Sequence, residues 1–160
     1  HSRVPTPHNG YAGRMTEQTP STNTSVDNEH VVKSLLEALQ AQDFETFESL
    51  LADDVAYQNV GLPTVHGGRR VTKLMRGMEG KARFEVKFHR TVVEGSTVLN
   101  ERTDAIVIGP LRLQFWVCGV FEVADGRITL WRDYFDFYDM FKATLRGVVG
   151  MVVPSVRRTM

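Results

Sequence analysis

Apolar residues recur along this chain with two periods, and the change from one to the other divides it into a helical part and a sheet-forming part. Val31, Leu35, Leu36 and Leu39 repeat at helical spacing while Glu29, Lys33, Glu37 and Gln40 fall elsewhere, and Asp27 stands where it could cap the helix they predict. Asp43 caps a second, shorter helix whose apolar stripe is Phe44, Phe47, Leu50 and Leu51, broken by Asp53 and Asp54. A short strand over Val55 to Val60 follows, then the Gly61-Leu62-Pro63 turn and Gly67-Gly68. Arg69 to Met78 forms a third helix with Val71, Leu74, Met75 and Met78 apolar.

From Arg83 onward the period is two. Phe84, Val86, Phe88 and Val92 share one face of a strand over Arg83 to Val93. Gly95-Ser96, Gly109-Pro110 and Asp125-Gly126 are turns, so Thr97 to Ile108, Leu111 to Val123 and Arg127 to Phe137 are three further strands. Four long strands in series predict an antiparallel meander. The fold class expected is α+β: a curved antiparallel sheet with helices covering its concave face and a pocket between the two layers.

The ends differ in composition. Residues 1–14 lack an apolar run and look like a vector-derived leader ahead of Met15, and 15–26 are Thr/Ser/Asn/Gln-rich, too poor in aliphatics to offset the entropy of ordering. A single domain over 27–160 is expected. Lys plus Arg and Asp plus Glu are both 19, a balance that offers no basic field for a nucleic acid. The single cysteine, Cys118, excludes an internal disulfide and suits a reducing cytoplasm; it has no evident activating partner, and a buried inert thiol is expected. His30, His66 and His89 lack ligand spacing, so no metal site is expected, and no window is long and apolar enough to span a membrane.

A few polar residues do not fit the apolar pattern. Arg102 and Asp104 lie on the face of their strand that also carries Val98, Asn100, Ile106 and Ile108, and the opposite face is not wholly apolar either. Arg102 and Asp104 form either a pair in the pocket or a surface ion pair. In the last strand Thr129, Trp131, Asp133, Phe135 and Phe137 share a face. Asp133 thus stands between aromatics on the pocket side, unless that strand turns Arg132 and Asp136 inward instead. Val55, Tyr57 and Asn59 share one face of the first strand, and the phenol and carboxamide can together hold a water, although such a pair is often structural. Leu36, Leu39, Ile106, Phe115, Val117, Trp131 and Phe135 are the apolar candidates for the pocket wall, which favours a lipophilic ligand.

Tyr57-Gln58-Asn59, Glu101-Arg102-Thr103-Asp104 and Trp131 to Asp136 (WRDYFD) together resemble the limonene-1,2-epoxide hydrolases, over Asp27 to about Leu145. The resemblance implies the cystatin-like, ketosteroid-isomerase-like cone, and a cofactor-independent hydrolase that opens a small lipophilic epoxide with water in one step. It implies that Asp133 is the base, Asp104 the acid, Arg102 the bridge between them, and Tyr57 and Asn59 the water-holding pair. It further implies a homodimer and a place in detoxification or lipid metabolism. Cyclases, isomerases and non-catalytic binding modules share the cone, and they remain the alternatives. The apolar segment from Gly147 to Pro154 could cover the pocket mouth, join a dimer interface or touch a lipid surface, ranked in that order.

Overall fold

The computed structural model describes residues 22–153, and within them the two periods of the sequence become two layers. Helices α1 (Thr22–Ala41), α2 (Phe44–Ser49) and α3 (Gly68–Arg76) precede most of the sheet, strands β1 (Leu51–Asn59) and β2 (Val65–His66) are interleaved with them, and β3 (Arg83–Glu94), β4 (Thr97–Ile108), β5 (Leu111–Ala124) and β6 (Arg127–Tyr134) form the meander. A fourth helix, α4 (Phe137–Val152), closes the order. The sheet runs β2-β1-β6-β5-β4-β3 and is open, with β2 and β3 at its edges. All neighbours are antiparallel except β1 and β6, which are parallel and set Tyr57 opposite Trp131 and Asn59 opposite Asp133.

The helices lie against one face of this sheet. α1 packs mainly on β3, α3 on β1 and α4 on β5. The core between the layers holds Val32, Leu35, Leu36 and Leu39 of α1, Phe44 and Phe47 of α2, Val71 and Met75 of α3, and Val98, Phe121, Ile128 and Trp131 of the sheet. Burying aliphatic and aromatic side chains like these stabilises a fold by roughly 1.5–3 kcal/mol each.

Several sequence expectations are corrected here. Asp27 does not cap α1, because the helix begins at Thr22, five residues earlier, so that 22–26 of the expected tail are helical. The buried stripe of α1 includes Val32, with Val31 only partly buried. Asp43 does cap α2, its side chain accepting from the Thr46 backbone N–H at 3.1 Å. β6 stops at Tyr134, and the residues beyond it, expected to be strand and then tail, form α4, capped by Asp136 through the Tyr138 N–H at 2.8 Å. The expected leader 1–14 and residues 15–21 lie outside the described residues.

The register shifts at three places, between Leu51 and Ala56 in the β1–β6 pairing and at bulges in β3 and in β6, and the latter two change the period of the inward residues. His89 is skipped in the β3–β4 pairing, so the inward set passes from Phe84, Val86 and Phe88 to Val93, and Val92 turns outward at 61% exposure. Thr129 is skipped between β5 and β6, which gives the inward position to Ile128 and restores Trp131 and Asp133 to that same face.

Candidate active site

The second bulge matters because it keeps Asp133 on the inner face, opposite Gly119 of β5 and level with Asn59 of β1. On β4, uninterrupted alternation turns Asn100, Arg102 and Asp104 to the same side, and all three are buried. Arg102, Asp104 and Asp133 are 0%, 4% and 5% exposed. The surface-pair reading of Arg102 and the outward reading of Asp133 are both thereby excluded.

Arg102 joins the two carboxylates. Its Nε donates to Asp104 Oδ1 at 2.9 Å and to Oδ2 at 3.1 Å, its Nη1 donates to Asn100 Oδ1 at 2.9 Å, and its Nη2 forms an ion pair with Asp133 Oδ2 at 2.7 Å. A planar fork suits this task, since its N–H groups point in fixed and divergent directions. Asp133 Oδ1 is buried with no hydrogen-bond partner among the described residues, which leaves an acceptor oxygen unused. From β1, Asn59 Nδ2 donates to the Tyr57 hydroxyl oxygen at 2.8 Å, and the Tyr57 ring lies 4.5 Å from that of Trp131.

Burial works against charge throughout this cluster. It raises the Asp104 carboxyl to about 6, with the Asp133 charge adding to the rise and Arg102 opposing it. The Tyr57 hydroxyl is likewise pushed up, first by burial and then by Asp133, so it stays a neutral donor. Burial opposes the charge on Arg102, but Asp133 and Asp104 outweigh it and the guanidinium holds its proton more firmly than usual.

These groups sit at the wall of a cavity of about 260 Å³. Asp104, Asp133, Tyr57 and Asn59 reach its lining, together with the expected Leu39, Ile106, Phe115, Val117, Trp131 and Phe135. Leu36 does not reach it: the side chain is wholly buried in the core between α1 and the sheet, because it points along the other edge of the helical stripe. Sequence reasoning missed Leu62, Met75, Met78, Phe84 and Met140, which complete the wall. Met75 and Met78 are legible as an apolar helix face, but Met140 belongs to a helix that the sequence pattern does not announce. Cys118 is half-buried, in register with Glu101 and Tyr134 and away from this cluster. No cluster of three or more His, Cys, Asp or Glu among the described residues is arranged to hold a metal ion.

Comparison with known proteins bears on the family and the fold. Residues 26–146 match the family described as limonene-1,2-epoxide hydrolase catalytic domain. The chain is 56% identical over 146 residues to epoxide hydrolase EphG of Mycobacterium tuberculosis, covering 91% of this chain and 98% of that protein. It superposes on the solved structure of an M. tuberculosis LEH-like epoxide hydrolase with a TM-score of 0.84 at 57% identity, covering 86% of this chain and 98% of the other. A protein of ketosteroid isomerase-like fold from Catenulispora acidiphila DSM 44928 matches with a TM-score of 0.64 at 14% identity, over 71% of this chain and 91% of the other, which speaks to the fold alone.

Proposed function

The chain belongs to the limonene-1,2-epoxide hydrolase family, and from that premise we propose that its pocket adds water to a lipophilic epoxide through Asp104, Arg102, Asp133, Tyr57 and Asn59. The observation that carries this reading is one guanidinium contacting two buried carboxylates at the wall of an apolar cavity.

Opening an epoxide requires a nucleophile at one ring carbon while the ring oxygen gains a proton. Tyr57 and Asn59 hold the water, and Asp133 takes a proton from it as the new carbon–oxygen bond forms. The strained carbon–oxygen bond breaks on the far side, and Asp104, in its protonated form, donates to the departing oxygen. A carboxyl raised to about 6 is suited to that donation near neutral pH. Arg102 fixes both carboxyl groups and carries compensating charge as the proton shifts from one to the other. Returning the proton from Asp133 to Asp104 resets the site. No covalent ester forms, since the attacking atom belongs to water.

A cyclase or isomerase would use one carboxylate to abstract a carbon-bound proton and would leave the bridging guanidinium and the Tyr57–Asn59 pair without a task. A homodimer and a cytoplasmic setting belong to the proposal as well. The first is supported by Phe141, Leu145, Val148 and Val149, apolar and exposed along α4, and the second by the single cysteine. No described helix is long and apolar enough to cross a membrane.

Turnover of a panel of apolar epoxides in water enriched in heavy oxygen tests the reading. One solvent oxygen is expected in each diol. Failure to form diol from any of them, or a diol without solvent oxygen, would refute it.

A further inference from the structure

Arg102 and Asp133 are not on adjacent strands. Arg102 belongs to β4 and Asp133 to β6, and β5 runs between them, so the guanidinium must pass across β5 to make its 2.7 Å contact. The residue of β5 at that crossing is Gly119, in register with Asn100 on one side and with Asp133 on the other. A Cβ added there would lie 2.2 Å from Arg102 Nη1, 2.7 Å from Asn100 Oδ1 and 2.7 Å from Phe121 Cε2. Glycine in the interior of a strand costs stability relative to residues with side chains, and it is tolerated where another group must approach the backbone closely.

We propose that Gly119 is a positioning residue of the hydrolase: its missing side chain is the slot through which the Arg102 guanidinium reaches both Asp104 and Asp133. The inference rests on the acid–base reading above and assigns the bridge a third structural requirement beside the two carboxylates. Ordinary contact begins near 3.4 Å, so a Cβ at 2.2 Å obliges Nη1 to retreat by about 1 Å. A guanidinium displaced by that much cannot keep its Asp104 hydrogen bonds and its Asp133 ion pair together. Misplacement of a catalytic group by about 1 Å lowers turnover by roughly 100-fold.

Four chains test this: wild type, Gly119→Ala, Arg102→Lys, and the double variant. Diol formation is measured for each, and the Arg102 Nε–H resonance is followed by NMR where the arginine is present. Gly119→Ala is expected to lower kcat by about 100-fold with KM changed less than about 3-fold, and to move the Nε–H resonance or speed its exchange with water. In the Arg102→Lys background the Nη1 collision is gone and only the ends of the Asn100 and Phe121 side chains need to give way, so the same alanine is expected to cost less than about 3-fold of the activity left in that background.

A folded Gly119→Ala chain with kcat within about 3-fold of wild type would overturn the slot. Equal losses in both backgrounds would also overturn it and reduce Gly119 to a packing requirement against Phe121. If Gly119→Ala fails to fold while the double variant folds, the collision is with the arginine and the proposal stands; if neither folds, it is overturned. These outcomes are separate from a failure of the hydrolase reading, which shows in the wild type as absence of diol.

Discussion

Replacing Asp104 by Asn isolates the energetic consequence of burying one ionisable carboxyl. Asp104 is 4% exposed, and its carboxyl stands at about 6 against an ordinary 3.8, chiefly through burial. Two units correspond to about 3 kcal/mol at 1.36 kcal/mol per unit, and a group so well covered needs no discount for solvent screening. The folded chain holds this proton to higher pH than the unfolded chain does. The associated stability is therefore complete below about 3.8 and is lost as pH rises through about 6. The carboxamide introduced by Asp104→Asn has no such proton to lose. The stability of wild type minus that of Asp104→Asn should consequently fall by about 3 kcal/mol between about pH 3.5 and pH 7.5. Urea unfolding followed by tryptophan fluorescence at several pH values gives both curves, with Trp131 packed beside the site as reporter. Wild-type and variant curves that run parallel across this range, or a difference that grows with pH, would refute the reasoning. The same titration should appear in turnover: kcat/KM of the wild type declines above about pH 6, as the protonated acid is depleted.

Two other substitutions probe the remaining parts of the bridge. Asp133→Asn keeps the shape of the side chain and removes the base, so diol formation should drop by at least about 100-fold with the circular dichroism spectrum unchanged; residual activity near the wild-type level would move the base elsewhere. Arg102→Lys keeps the charge but offers a single nitrogen to two carboxylates, and should lose most turnover and lower the melting temperature, since one buried carboxylate is left unpaired. Wild-type turnover in the lysine chain would show that charge alone suffices.

How much of this is legible in the sequence depends on whether the chain follows one period without interruption. β4 does, from Thr97 to Ile108, and its boundaries and the inward set Asn100, Arg102 and Asp104 agree with the alternation of its residues. β3 and β6 do not. A bulge is one residue that no local pattern announces, so alternation puts Val92 inside and puts Thr129 in the place that Ile128 takes. The face of Asp133 survives only because it follows the bulge in the same alternation as Trp131. α4 is hidden because its apolar residues Phe141, Leu145, Val148 and Val149 face outward, whereas buried Gly147 packs on the sheet. From sequence that apolar segment reads as a tail with three uses. Within it Gly147 packs against Leu111 and Leu113 while Val148, Val149 and Val153 point away, and Met140, a few residues earlier on the same helix, lines the cavity. The Tyr57–Asn59 pair is legible as a motif, but its partnership with Asp133 depends on parallel pairing of strands 74 residues apart, which no periodicity encodes.

That parallel pairing of β1 with β6 has a consequence for how the protein comes into being. β4, β5 and β6 can each zip onto the preceding strand through a short turn, and contacts of this kind close early because little loop entropy opposes them. β1 finds its long-strand neighbour only after the whole meander has been made, since β6 is the last strand among the described residues. A growing polypeptide thus assembles Arg102 and Asp104 first and remains without Asp133 until β6 emerges. The Tyr57–Asn59 pair meets Asp133 only when β1 and β6 dock across the sequence between them, so competence to turn over substrate depends on a long-range pairing rather than accumulating strand by strand.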